Sequence, residues 1–148
     1  MMGVTRRAEV GWDGDLVSGN GVIRYVSSGS ISRLPVTWAS RTEAPDGRTS
    51  PEELIAAAHA SCYSMAFSSG LAKNGTPATH LEVAAVVTFD KTDAGWRIVS
   101  SQITVEGTVP NIDETTFVEL ATAAKDGCPV SQALKGNVEL SVVATLKA

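Results

Sequence analysis

Cysteine is scarce in this chain of 148 residues: there are two. Small secreted domains built on disulfides carry far more, and cytosolic reductants keep isolated thiols reduced, so the pair does not read as a structural framework. On composition alone, two small buried hydrophobes would explain them equally well. Positive charge is also in short supply. Twelve Lys and Arg against sixteen Asp and Glu give a formal charge of −4, and no basic run exceeds Arg6-Arg7. That removes the electrostatic footprint expected of a nucleic-acid or anionic-membrane partner. No stretch approaches the roughly 18 apolar residues that span a bilayer. The opening Met-Met-Gly-Val-Thr-Arg-Arg-Ala-Glu has no apolar core behind its basic pair, so a cytoplasmic protein is expected. Gly-rich phosphate loops and dinucleotide fingerprints are missing too, and no cofactor is implied.

What remains is an ordinary globular composition, 43% hydrophobic and 19% charged, in a length that suits one domain over 1–148. Val4 to Trp12, Gly21 to Ser27 and Ile31 to Thr37 alternate apolar and polar residues between Gly, Asn, Asp and Ser clusters, which predicts an antiparallel meander. Ser40 to Thr49 is polar and aperiodic and reads as a surface loop. Leu81 to Asp90 and Trp96 to Val109, joined by Lys91-Thr92-Asp93-Ala94-Gly95, predict a long hairpin. Asp113 caps a second helix through about Asp126, Pro129 opens a short third one through about Leu134, and Asn137 to Lys147 closes as a strand. The fold class is α+β, with antiparallel sheets around a long central helix.

That central helix starts at Ser50-Pro51-Glu52-Glu53, with Ser50 as N-cap, Pro51 at the first helical position and Glu53 placed to complete a capping box. It then runs LIAAAHASCYSMAFSSGLAK and closes at Asn74-Gly75. A helix apolar almost all round must be buried on most sides. The rest of the sequence offers few apolar elements to cover its second face, so a second copy of the chain is the simplest cover.

The cysteines occupy contrasting positions. Cys62 falls in the middle of this helix, where apolar surroundings raise a thiol pKa; Cys128 lies between Gly127 and Pro129, where a helix N-terminus lowers it. A reactive Cys62 therefore needs a cation. Arg41, in the loop that runs into the helix, is preferred, because a guanidinium offers charge and forked donors to a thiolate or a developing alkoxide. By residue type alone a solvated loop arginine is the commoner outcome. Arg48 is too near the helix start to fold back as far, and Arg24 and Arg33 fall at outward positions of predicted strands. Glu53 is occupied by capping, which leaves Glu52 either to complement the helix dipole or to orient the arginine. Ten residues of helix, at about 1.5 Å each, separate Glu52 from Cys62 by roughly 15 Å, so the two meet only if two copies of the helix pack antiparallel across a twofold axis. A zinc site from Cys62, His59, Cys128 and His80 lacks any paired-ligand spacing, and a His in an apolar helix is usually a packed, hydrogen-bonded core residue. A thiol hydrolase using His59 or His80 as base finds no support in the spacing. A non-catalytic dimer with packing cysteines remains the plain alternative.

The run from Ser50 to Ala66, SPEELIAAAHASCYSMA, resembles the central-helix signature of the OsmC/Ohr family, and Gly127-Cys128-Pro129-Val130-Ser131 resembles its second-cysteine motif. Gly11-Trp12-Asp13-Gly14-Asp15, Lys91 to Gly95 and Val109-Pro110-Asn111-Ile112-Asp113 extend the resemblance over nearly the whole chain. It implies an intertwined homodimer with its sites at the subunit interface. It also implies a peroxidase in which Cys62 attacks an organic hydroperoxide, Cys128 resolves the product as a disulfide, and Arg41 and Glu52 activate the first thiol. The arginine in the loop Thr37-Trp38-Ala39-Ser40-Arg41 fits the OsmC branch. An external dithiol, of lipoyl type, is the implied reductant, and Tyr63, Met65 and Phe67 either line, with apolar groups of the partner, a pocket favouring organic peroxides or are plain core.

Overall fold

The computed structural model describes residues 3–148 and is α+β, with one three-stranded sheet ordered β1-β2-β3 and another ordered β4-β5-β6. Contacts within the chain gather into two compact units, one ending at Leu54 and the other Ile55–Ala148.

The first unit holds β1 (Ala8–Asp13), β2 (Asn20–Val26) and β3 (Leu34–Val36), paired antiparallel with a bulge between Glu9 and Val10. The meander is as expected, but its third strand is shorter. Arg33 has φ 59°, a left-handed conformation that interrupts a strand, and Pro35 is tolerated because β3 is an edge. The loop expected from Ser40 is also corrected, since α1 (Trp38–Thr42) occupies its start. Thr37 accepts from Ser40 N–H, and the Ser40 hydroxyl stands where a capping box usually has Glu or Gln. Ser40 Oγ is buried and also donates to Thr49 O at 3.0 Å, while Thr49 N–H donates to Pro35 O at 3.0 Å. The loop after α1 is thereby tied to the sheet just before the long helix α2 (Pro51–Lys73) begins. Ser50 Oγ accepts from Glu53 N–H as expected; the Glu53 carboxylate, however, takes the Thr49 hydroxyl.

The second unit contains most of α2, the hairpin of β4 (His80–Thr92) and β5 (Gly95–Thr108), α3 (Glu114–Gly127), α4 (Pro129–Leu134) and β6 (Glu139–Leu146). Asp113 caps α3 through Thr116 N–H at 2.8 Å. The sheet is not antiparallel throughout. β6 pairs with β5 in parallel, because α3 and α4 carry the chain back to the starting end of β5 before it forms its last strand. The core is built where a stripe of α2, Tyr63, Phe67 and Leu71, meets Ile103 and Val105 of β5 and Phe117 and Ala121 of α3, all fully buried. Phe67 stacks obliquely between Tyr63 and Phe117, with ring centroids 5.8 and 5.2 Å away. Each such side chain contributes about 1.5–3 kcal/mol of burial. Gly107 makes this approach possible: a Cβ there would stand 2.6 Å from the Phe117 ring. Within the single chain α2 is buried along one stripe only, and Ala57, Ala58, Ser61, Met65, Ser68 and Ser69 are exposed. No described helix is long and apolar enough to cross a membrane.

Candidate active site

In the first unit, α1 and the first turn of α2 bring Arg41 and Glu52 together. Arg41 Nε donates to Glu52 Oε1 and Oε2 at 3.0 and 3.2 Å, and Nη2 donates to Oε1 at 2.8 Å. The Glu52 side chain is 9% exposed and that of Arg41 28%. Such a pair fixes the plane of the guanidinium, and losing one partner would leave a largely buried charge uncompensated. Arg48 instead pairs with exposed Asp46, Arg24 is exposed on β2, and Arg33 lies outside any strand.

In the second unit, Cys62 of α2 and Cys128 of the α3–α4 junction meet, each close enough to shift the other's acidity. Both thiols are free. Cys128 serves as C-cap of α3 and N-cap of α4, with an extended backbone at φ −78° and ψ 120°. Burial pushes the Cys62 thiol up; the Val130 N–H pulls the other way, but the hydrogen bond and charge of Cys128 raise it further. For Cys128 burial also acts upward, yet it is outweighed. The Ser131 N–H, the Cys62 thiol, the Ser131 hydroxyl and the Val130 N–H together hold Cys128 below the usual thiol value. Cys128 is therefore the more acidic member of the pair although it is the more deeply buried.

Next to the thiols lies a polar chain whose central member was weighed as a zinc ligand, as a base and, by preference, as a hydrogen-bonded core histidine. His59, one turn before Cys62, is fully buried and keeps both ring nitrogens engaged, Nδ1 with Ser101 Oγ at 2.6 Å and Nε2 with Ser131 Oγ at 2.8 Å. Burial holds its pKa below the ordinary value of 6.5. Ser101 on β5 and Ser131 on α4 were not singled out in the sequence. Ser131 carried a signal, being three residues after a helix-opening cysteine, where its N–H faces the cap; Ser101 carried none. Tyr63 Oη donates to Ala121 O at 2.6 Å, and burial followed by the charge of Cys128 raises its pKa. Tyr63 and Phe67 are thus core residues, the second of the two places the sequence left open for them. Met65 is 73% exposed and lines a groove of about 640 Å3 with Ser64, Ser68, His80 and Leu81. His80 pairs with Glu82 at 3.0 Å at the start of β4. Among the described residues no group of three or more His, Cys, Asp or Glu is placed to hold a metal.

A family model described as OsmC-like protein matches residues 44–143. The chain is 40% identical over 139 residues to peroxiredoxin OsmC of Escherichia coli, covering 94% of this chain and 96% of that one. It is 28% identical over 110 residues to an organic hydroperoxide resistance protein-like sequence of Staphylococcus aureus, covering 74% and 78%. In fold it is similar to the organic hydroperoxide resistance protein OhrB of Bacillus subtilis, with a TM-score of 0.70 at 24% identity over 95% of this chain and 98% of that one. An organic hydroperoxide resistance protein from Elizabethkingia anophelis superimposes with a TM-score of 0.71 at 19% identity, covering 99% and 100%.

Proposed function

The chain belongs to the OsmC-like protein family, and from that premise we propose that it is a cysteine-based peroxidase reducing organic hydroperoxides to alcohols. The observation that carries the reading is the meeting of its two cysteines, which are far apart in sequence, as free thiols. The Cys62 thiolate attacks the terminal peroxide oxygen, the O–O bond breaks, and the departing alkoxide takes up a proton. Cys62 is left as a sulfenic acid, which Cys128 converts to a disulfide with loss of water, and that protects Cys62 from irreversible oxidation. An external dithiol, of lipoyl type, returns both thiols.

Arg41, its plane fixed by Glu52, is the proposed cation for the Cys62 thiolate and the alkoxide. Roughly 15 Å of helix separates Glu52 from Cys62 of the same chain. The proposed enzyme is therefore a homodimer in which Arg41 and Glu52 of the partner subunit complete the site. The exposed stripe of α2 at Ala57, Ala58, Ser61 and Met65 supports this arrangement.

The test is intact mass and peptide mapping of the reduced protein after one equivalent of cumene hydroperoxide, with hydrogen peroxide in parallel. A rapid loss of about two mass units, mapped to Cys62–Cys128 within one chain and faster with the organic peroxide, is expected. Two thiols that stay reduced would leave only packing cysteines.

A further inference from the structure

His59 is a fully buried titratable side chain to which the proposed reaction gives no task. Packing alone does not account for its partners. Both ring nitrogens meet the hydroxyls of buried serines, and one of these, Ser131, acts on the Cys128 sulfur through its hydroxyl and its N–H. Hydrogen bonds of 2.6 and 2.8 Å join Ser101, His59 and Ser131, and Ser131 in turn adjoins Cys128, whose sulfur neighbours that of Cys62.

The direction of that series follows from counting protons. A neutral imidazole has one donor and one acceptor nitrogen, a hydroxyl has one proton to give, and a thiolate only accepts. If Ser131 gives its proton to the Cys128 sulfur, its oxygen is free to accept from His59 Nε2–H, and His59 Nδ1 then accepts from Ser101. Every donor points toward the sulfur. The other tautomer would draw the Ser131 proton to the ring and away from Cys128.

We propose that His59 is a positioning residue: as the Nε2–H tautomer anchored by Ser101, it holds the Ser131 hydroxyl as a donor to the Cys128 sulfur during disulfide closure. The proposal rests on the assignment of Cys128 as the resolving thiol. In that step a lone pair of the Cys128 thiolate attacks the sulfenic sulfur of Cys62. The S–S bond forms, the S–O bond breaks with its electron pair on oxygen, and the leaving hydroxide takes up a proton equivalent to the one Cys128 released. His59 touches neither electron pair and gains no proton overall.

Two measurements test this. The first is ultraviolet thiolate absorbance against pH for Cys128 in a Cys62→Ser background, which needs no peroxide. The other titratable groups acting on Cys128 are Cys62, which the background removes, and Tyr63, which its burial keeps protonated. Ser131→Ala and His59→Leu are each expected to raise the Cys128 pKa by about one unit, a tenfold loss of thiolate at fixed pH. His59→Gln, whose amide nitrogen reaches toward the place of Nε2, should recover most of it. The second is dimedone trapping after one equivalent of cumene hydroperoxide in the two-cysteine protein. Once formed, the Cys62 sulfenic acid should persist about tenfold longer in both variants, in line with that loss of thiolate. An unshifted titration in folded Ser131→Ala overturns the proposal, even if His59→Leu does not fold. So does a shift in Ser131→Ala with none in folded His59→Leu, because the serine would then need no anchor. If the unsubstituted protein forms no sulfenic acid, the peroxidase reading falls, and the Cys128 titration alone still decides the role of His59.

Discussion

In the middle of α2, around Cys62, every backbone N–H is committed to the carbonyl four residues back. At the junction of α3 and α4, around Cys128, the first N–H groups of a new helix are free, and two of them, from Val130 and Ser131, reach the Cys128 sulfur. Burial would rank the two thiols the other way, since Cys128 is wholly enclosed and Cys62 is not. The difference teaches that acidity here follows the supply of donors rather than depth. The mid-helix thiol has one backbone donor acting on it, the Val130 N–H across from its own helix, whereas the thiol at the helix start has two backbone donors and the Ser131 hydroxyl.

The sharpest break in that comparison is to remove each sulfur in turn. Cys62→Ser is expected to lose peroxidase turnover entirely and to form no disulfide. Cys128→Ser should still oxidise once at Cys62, stop turning over, and progress to sulfinic and sulfonic acids under excess peroxide, which mass spectrometry resolves. A thiol hydrolase would keep steady turnover in Cys128→Ser. Next in size is the side chain that mid-helix Cys62 is proposed to need. Arg41→Lys keeps the charge but loses the fork and is expected to lower kcat/KM on the order of 10²-fold. Full activity would move the role to Arg24 or Arg33.

Smaller effects concern the framework around the junction. Tyr63→Phe leaves Ala121 O without its 2.6 Å donor and should cost about 1–3 kcal/mol in urea unfolding. The phenol's folded pKa is raised above its ordinary value of 10, so its share of stability is intact below about pH 10 and declines as pH climbs toward the folded value. The alkaline decline should flatten in Tyr63→Phe. His59 acts at the acid end. Its folded pKa is lowered, so stability is intact above about pH 6.5 and falls as pH drops toward the folded value, because the unfolded chain takes up the proton first. Urea midpoints at about pH 7.5 and about pH 5 should show this decline.

Much of the architecture could be read from local chemistry. Asp113, Pro129 and Ser50-Pro51 mark helix starts through capping rules that need only a few residues, and the two long strands of the hairpin alternate over enough positions to be unmistakable. What escaped depends on partners distant in sequence. The helix α1 is nucleated by a Thr-Ser box that resembles a loop, and the parallel register of β6 is decided by a crossover. Ser101 becomes notable only when β5 delivers it to His59. The contrast between the two thiols was visible, since mid-helix and helix-start positions announce themselves. The pairing of Arg41 with Glu52 appeared as one of two roles open to that glutamate, and only the fold of the loop selects it.

The parallel pairing of β6 with β5 also fixes an order of assembly. A parallel strand cannot close by a tight turn; it waits for everything between it and its neighbour, and here that interval contains the whole junction bearing Cys128. During synthesis Cys62 emerges first on a helix able to form locally, whereas α3 has no strand β6 to rest upon until Glu139–Leu146 has left the ribosome. The pairing of Cys62 with Cys128 is therefore held in place only after β6 has been made. A protein cut short before β6 would keep both cysteines and lose the means of holding them face to face.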